Sequence, residues 1–424
     1  MSDLHFNPLQ DPSIVKWLIE APISNWNSVF ESSALKSLGS YGADSNYLLF
    51  KSSLLAMRKA NRNPSAVIIN GDFLVHHFEE NFKRIFPALS HSSFEKFSEK
   101  TIQFIAAEIL KTFPNSQIIP SFGNNDSSCG DYKMSPHSEF MKVFAVSWKK
   151  AIHVDKKNFS TFETKGYYST LLHFGATSKI RAIVLNGTYW SPRYSNECGN
   201  KRDTPDSDQF SWLENQLKES EERGEKIWLI NHIPAGIDLF KTFSEKTSPC
   251  ESKKIVFMYT ESNNAKLLSL IHKYSNSFDL ILTGHTHLND FRLYEGKVNP
   301  VPGITIPSIS PIYKNNPSFE ILSLDPEKFS PDNLYVYHLP LSASSPVWKN
   351  EYNYTKAYDL SEISSPSLMK LLDSLESDSK VQDKFSRYFT AEAPSSNLAL
   401  KDWKAYTCGL ANLDSESFSE CYCE

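Results

Sequence analysis

Five short segments bring metal-capable side chains to positions that follow apolar runs: Asp3-Leu-His5, Gly71-Asp72, Gly123-Asn124, Asn231-His232 and Gly284-His-Thr-His287. Together they offer two Asp, one Asn and four His. That set is too large for one tetrahedral zinc and suits two ions sharing a bridging carboxylate. In Asp3-Leu-His5 and His285-Thr-His287 the two polar residues stand at i and i+2, so in extended chain both point to one side. A glycine just before a ligand lets the backbone turn tightly where the side chain must face a cluster. A single histidine at a strand end is usually an ordinary hydrogen-bonded residue; five such segments in one chain are hard to credit to chance.

The elements that position these residues are short apolar, β-branched runs, each followed by polar or turn-forming residues. They are Ala66–Asn70, Gln117–Pro120, Arg181–Asn186, Ile227–Asn231 and Asp279–Thr283, which read as buried strands. Helix-period stretches lie between them, at about 46–60, 97–112, 208–222 and 264–275. In the third, Phe210, Leu213 and Leu217 share one helix face. Strand–helix alternation predicts an α/β layer architecture, in which ligand sites form at the carboxyl ends of strands. After Thr283 the pattern changes: Gly303–Ile309, Ser318–Leu324 and Asn333–His338 read as successive strands completing a second sheet. From about residue 345 the texture is Ser-rich and helical (Ser365–Ser374, Ser379–Phe389). The expected division is therefore a domain over 1–345 and a helical part over 346–424.

Composition narrows the class. Among 424 residues, 40% are apolar and 22% charged, enough apolar content for a sizeable core. Lys plus Arg number 44 and Asp plus Glu 49, a net charge of −5, which argues against a nucleic-acid partner held by phosphate contacts. No run approaches the ~18 apolar residues of a membrane span, so no transmembrane segment is expected.

Six cysteines stand at 129, 198, 250, 408, 421 and 423, with no CxxC pair. Three of them crowd the last 17 residues, where a disulfide would tie down a segment that otherwise frays, and this predicts an oxidising compartment. Sequons at Asn158, Asn186 and Asn353 are compatible with a secreted glycoprotein. The chain opens Met1-Ser2-Asp3 with no basic flank and apolar stretch. Asp3 and His5 are expected to end a strand whose earlier residues lie upstream, in a chain numbered from beyond a removed leader.

The order DxH, GD, GN, strand-end His and GHxH resembles the calcineurin-like metallophosphoesterases. Finer features are similar to their acid sphingomyelinase-like branch: Tyr41-Gly-Ala-Asp-Ser45, the run Leu48–Met57, Arg181–Asn186, Asn231-His-Ile-Pro-Ala-Gly236, Asn315-Asn-Pro317 and Cys408…Cys421. The resemblance implies an α/β fold built as a two-sheet β-sandwich flanked by helices in four layers, with a small helical, disulfide-containing C-terminal subdomain. It implies one metal held by Asp3, His5, Asp72 and His287 and a second by Asp72, Asn124, His232 and His285, with Asp72 bridging. Two such cations clamp phosphoryl oxygens and acidify a shared water for in-line attack on phosphorus, and the leaving alkoxide then needs a proton. Zinc is implied for lysosomal relatives, while the donor set also admits Mg²⁺, Mn²⁺ or Co²⁺. Family spacing implies the disulfides Cys408–Cys421 and Cys198–Cys250, leaving Cys129 and Cys423 unassigned.

The third motif departs from the Gly-Asn-His of many relatives and reads Gly123-Asn-Asn-Asp126. Asn125 is no acid, so His76, four residues after Asp72, takes the general-acid role, and Asn125 is expected to donate a hydrogen bond to phosphate. The neighbouring His77 reads as structural or solvent-facing. Asp126 either orients a ligand histidine or caps a turn.

The substrate implied is a phosphodiester, sphingomyelin cleaved to ceramide and phosphocholine in a secreted or lysosomal setting. Tyr167, Tyr168, Tyr189, Trp190 and Tyr313 are candidates to face the choline cation, with Tyr313 the substrate-binding residue. The branch can carry a saposin-like lipid-extracting module. None precedes Asp3 in this sequence, so a lipid substrate calls for peripheral membrane contact by the remaining surface. The Gly-Asn-Asn-Asp variant also resembles endopolyphosphatases, and the alternatives are a nucleotide phosphodiesterase or polyphosphatase on the same site, or a catalytically weakened metal-binding homologue. Polyphosphate would want a basic groove, for which Lys253-Lys254 is the only cluster near the motifs.

Overall fold

The computed structural model describes residues 1–175, 179–199, 203–244, 249–252, 254–394 and 402–424; Lys253 lies outside them, as do the side chains of 251 and 252. Eleven strands among the described residues form three hydrogen-bonded groups. The first pairs β1 (Ala66–Asn70) with β2 (Gln117–Ser121) in parallel. The second is six-stranded, in the order β3 (Tyr168–Leu172), β4 (Ile180–Val184), β5 (Lys226–Ile230), β6 (Phe278–Thr283), then β8 (Val301–Thr305) and β7 (Asp290–Tyr294). Strands β4, β5, β6 and β8 run parallel, and β3 and β7 close the two edges antiparallel. The third group is β9 (Ser318–Leu324), β10 (Pro331–His338) and β11 (Lys349–Asn353), all antiparallel.

The N-terminal residues join the first and third groups into one layer. Asn70 N donates to Met1 O, Ser2 bridges Ser308, Ile309 N donates to Ser2 O, and Ser318 N donates to Ser308 O. The layer facing the six-stranded sheet thus runs β2, β1, residues 1–3, residues 306–310, β9, β10, β11. Fully apolar central strands such as Ile227-Trp-Leu-Ile230 and Leu280-Ile-Leu282 are buried on both faces, as parallel strands between helix layers require. The helices Tyr47–Ala60, His91–Thr112, Pro205–Glu222 and Glu261–Lys273 fall where the apolar periodicity predicts them.

Two details of the later chain differ from expectation. Residues 301–305 join the parallel sheet rather than the second one, because β8 pairs with β6 in the register Leu282↔Ile304. Residue 345 lies in the connection between β10 and β11, two neighbouring strands, so the catalytic and C-terminal parts share that sheet. Beyond it come the helices Ser365–Ser377, Ser379–Phe389, Trp403–Ala411 and Ser415–Cys423.

All six cysteines are paired, as Cys129–Cys198, Cys250–Cys423 and Cys408–Cys421. The expected Cys198–Cys250 bridge is therefore corrected. Ser195 N donates to Tyr132 O, and Lys133 pairs with Glu197 at 2.9 Å, so the 193–198 loop is strapped to the loop carrying Cys129. Cys250 sits instead within disulfide reach of the last helix, 5.6 Å between Cα atoms. The sequon Asn186 is fully buried, its backbone N–H donating to Gln209, so it is no surface glycan site. Among the described residues no helix is long and apolar enough to cross a membrane.

Candidate metal centre

Six of the seven residues expected to bind metal converge at the carboxyl ends of β1, β5 and β6 and at the N-terminal segment, and Asn124 follows β2 next to Asn125, which bonds to Asp72. Asp3, His5 and Asp72 bring ligand atoms within 4.8 Å of one another, and Asp72, His232 and His285 do the same. Asp72 belongs to both groups. His287 joins the first, with Nε2 3.2 Å from Asp3 Oδ1 and 3.1 Å from His5 Nε2. In the second, His232 Nε2 lies 3.2 Å from Asp72 Oδ2.

The backbone reaches this arrangement differently from the extended geometry expected. Asp3, His5, Asp72, His285 and His287 all have positive φ, from 41° to 70°. These are left-handed conformations that cost strain in non-glycine residues and persist only where surrounding structure enforces them. Asp3 and His5 still reach the same group, but His285 and His287 do not aim side by side. His287 faces Asp3 and His5, whereas His285 faces His232 and Asp72. Glycine is needed for room as well as for turning. A Cβ on Gly71 (φ 79°) would meet Gly123 N and His232 Nδ1 at 2.7 Å, and one on Gly123 would drive into Asp72.

Supporting hydrogen bonds fix which atoms face inward. His232 Nδ1 donates to Asn70 O at 2.6 Å and His5 Nδ1 to Leu74 O at 3.1 Å, so each Nε2 presents its lone pair to the centre. Asn70 also donates through Nδ2 to Asn231 O and Leu282 O and accepts from Ser121, tying together β1, β2, β5 and β6. Asp126 accepts four backbone N–H bonds, from Asp72, Phe73, Leu74 and Gly123. It clasps two ligand-bearing loops and touches no ligand histidine; burial and then the Asp72 charge push its carboxyl up to about 7.

The centre is a buried set of acceptors. Asp3 Oδ1, Asn124 Oδ1 and His232 Nε2 are all buried with no hydrogen-bond partner. Burial opposes charge on each group, and the groups compensate one another. His232 is raised to about 10 because Asp72 and Asp3 outweigh desolvation, while burial and the neighbouring His232 lower His285 to about 3. Two Asp carboxylates, the Asn124 amide oxygen and four imidazoles form a donor set that fits a pair of divalent cations.

Around this centre, His76 stacks on His5 with ring centroids 3.9 Å apart. Its Nδ1 lies 2.9 Å from Asp44 Oδ1, a residue that sequence reasoning passed over although it stands inside the Tyr41–Ser45 motif. Burial would raise the Asp44 carboxyl, but the His76 hydrogen bond and the His5 charge hold it below the usual range. His77 is exposed and faces Asp131, as expected of a residue outside the chemistry. Asn125 has a contact that sequence reasoning did not foresee: its backbone N–H and its Nδ2 each donate to Asp72 at 2.8 Å, so the amide grips the shared carboxylate.

Tyr313 stands over the site, 58% exposed, its ring 4.6 Å from that of His287. The other four aromatic candidates are corrected. Tyr167, Tyr168, Tyr189 and Trp190 are buried, and the Tyr168 and Tyr189 hydroxyls donate to Pro120 O and Lys165 O. At the mouth stands an unforeseen pair: Arg193 lies over the ring of Tyr132 at 4.1 Å, and Tyr132 N donates to Asn124 O. The Arg193 charge also opposes the upward push of burial on the Tyr313 phenol.

A carboxylate common to two clusters at strand ends, beside a histidine held by a second carboxylate, suits phosphoester hydrolysis. The sequence profile of the calcineurin-like phosphoesterase family matches residues 1–289, and the chain belongs to that family, whose centres are dinuclear. Residues 299–424 match the acid sphingomyelin phosphodiesterase C-terminal region. Among curated proteins, the cyclic GMP-AMP phosphodiesterase SMPDL3A of Bos taurus is 27% identical over 398 residues, 91% of this chain and 82% of the relative. Acid sphingomyelinase-like phosphodiesterase 3b of Homo sapiens is 23% identical over 405 residues, covering 90% and 81%. Sphingomyelinase phosphodiesterase C of Dictyostelium discoideum is 24% identical over 420 residues, covering 94% and 86%.

Proposed function

We propose that the chain is a two-metal phosphodiesterase acting on an anionic nucleotide phosphodiester. Asp3, His5, Asp72 and His287 would hold one ion and Asp72, Asn124, His232 and His285 the other, zinc foremost. Bound there, the pair supplies charge stabilisation for the phosphoryl oxygens and an acidified water. The observation carrying the reading is Asp72, whose carboxylate belongs to both clusters and is gripped twice by Asn125.

The remaining chemistry belongs to side chains of this chain. Asp44 accepts Nδ1–H of His76 and fixes the ring's orientation, so the proton for the leaving oxygen is delivered from Nε2. Tyr313 walls the other side of the site. Arg193, carried on Tyr132, offers a guanidinium to substrate phosphate or base.

Substrate class is where this reading departs from sphingomyelin. With four of five candidate aromatics in the core, a choline cation is left with Tyr313, while the mouth presents a cation of its own. The name of the bovine relative, a cyclic GMP-AMP phosphodiesterase, supports the same choice. Three disulfides fit a secreted or lysosomal setting.

The test is hydrolysis of a cyclic dinucleotide, ATP, polyphosphate and sphingomyelin vesicles by metal-stripped protein refilled with single divalent ions. Nucleotide turnover should return with metal, vanish in Asp72→Asn, and show a KM raised about tenfold in Arg193→Ala. Phosphocholine release from sphingomyelin, unaffected by Arg193→Ala and without nucleotide turnover, would restore the lipid substrate and a membrane-contacting face.

A further inference from the structure

A second set of buried acceptors lies outside the active centre, where β10, β11 and the segment after the helix Ser379–Phe389 meet. His338 is the last residue of β10, and its side chain is fully buried. Its Nδ1 donates to Ala391 O at 2.8 Å, which leaves the lone pair on Nε2. That Nε2 is buried and has no hydrogen-bond partner.

Glu351 is brought to the same place by a β-bulge. Val336 pairs with Tyr352 and Tyr337 with Asn350, so Glu351 is the extra residue between them. Bulges re-aim a side chain that the strand's alternation would send elsewhere. The Glu351 side chain has no exposure, and neither of its carboxylate oxygens has a hydrogen-bond partner. Its Oε2 lies 3.7 Å from His338 Nδ1.

The third member is Glu392, whose Oε2 stands 3.9 Å from His338 Nε2 and whose side chain is 39% exposed. One ligand atom from each of the three residues falls within 4.8 Å of the others. With metal–ligand bonds of ~2.1 Å, tetrahedral ligands sit ~3.4 Å apart, so only a small closure is needed.

Glu351, Glu392 and His338 Nε2 offer only acceptors here, and the one ring donor, Nδ1–H, is taken by Ala391 O. An ionised carboxylate buried without a donor is strongly disfavoured, and burial together with the Glu392 charge drives the Glu351 carboxyl well above its ordinary range. The nearby Lys349 acts on it only through its charge. Either a proton or a cation must neutralise the site. A proton on the Glu351 carboxyl leaves the His338 Nε2 lone pair facing Glu392 without a donor, whereas a dication satisfies all three groups at once.

We propose that His338, Glu351 and Glu392 bind a third divalent transition ion of the Zn²⁺ class, with water in the position open beside Glu392. One imidazole and two carboxylates balance a dication, and the carbonyl partner on Nδ1 is the usual support for a ligating histidine. The ion fastens the edge of the antiparallel sheet to the chain after residue 389. Nothing in this assignment depends on the reading of the active centre.

The experiment counts Zn²⁺ by elemental mass spectrometry in whole protein, stripped, refilled and gel-filtered. About three ions per chain are expected in the parent and about two in Glu351→Gln and His338→Gln, with phosphodiester hydrolysis retained as the check on folding. In the Asp72→Asn, His287→Gln background, the ion lost with Glu351→Gln should remain, separating it from the catalytic pair. If the buried variants fail to fold, Glu392→Gln decides, because its side chain reaches solvent; at least a tenfold fall in affinity for the extra ion is expected. Equal ion counts and affinities in parent and variants would overturn the proposal and leave Glu351 neutralised by a proton.

Discussion

Asp44 and His76, 32 residues apart in sequence, are joined by a 2.9 Å hydrogen bond between a largely buried carboxylate and an imidazole stacked on His5. The bond fixes which ring nitrogen carries the exchangeable proton and which faces the substrate. Loss of a general acid costs ~10²–10⁴-fold when the leaving group is a poor one. His76→Ala should therefore lower kcat by about 10²-fold or more on an alkyl phosphodiester, yet little on bis-(p-nitrophenyl) phosphate, whose leaving group needs no proton. Asp44→Asn should follow the same pattern at about half the size in log units, near 10-fold. Equal losses on both substrates would make the dyad a structural pair.

Asn125 stands where many relatives carry histidine, and it donates twice to Asp72. Removing such support of a ligand costs ~10–100-fold in metal affinity. Asn125→Ala is expected to weaken binding of both ions by that amount, measured by competition with a chelator, while activity at saturating metal falls far less. A loss of kcat at saturating metal with unchanged affinity would return the amide to a role on phosphate.

Most residues of the candidate site were legible because they follow apolar runs, and a strand end is where a layered fold gathers ligands. Their geometry was not. Five of them adopt positive φ, which no spacing rule encodes, so the alternation argument for His285 and His287 failed although both residues belong to the site. Asp44 and Arg193 sit in loops and reach the centre only through tertiary folding. Composition could not tell Tyr313, exposed beside His287, from Tyr168, whose neighbours in β3 place it in the core. Disulfide pairing failed for a similar reason, since it depends on which loops lie together rather than on spacing.

The Cys129–Cys198 bridge ties together the two loops that carry Tyr132 and Arg193. Of the seven expected ligands these loops carry Asn124 alone, so the paired variant Cys129→Ser, Cys198→Ser should keep its catalytic ions. Ordering two loops that a substrate must otherwise order itself costs affinity. The variant is expected to raise KM for a nucleotide diester ~3–10-fold with kcat within about twofold. A fall in kcat with KM unchanged would place the bridge's effect on the metal loop instead.

Glu320, on β9, borders a 390 Å³ cavity between the two sheets, lined by apolar groups that include Ile68, Trp228, Leu282 and Phe329. Burial pushes its carboxyl from 4.5 up to about 8, with the amine of Met1 opposing. A carboxyl raised in the folded state is favoured there in its protonated form. Its contribution to stability is complete below the ordinary value near 4.5 and is lost as pH rises through about 8. Glu320→Gln mimics the neutral carboxyl at every pH and removes that loss. The difference in melting temperature between Glu320→Gln and the parent should be near zero at pH 4 and grow to about 5 °C in favour of the variant at pH 8. A difference independent of pH would mean that Glu320 titrates normally and that the gap between the sheets is wet.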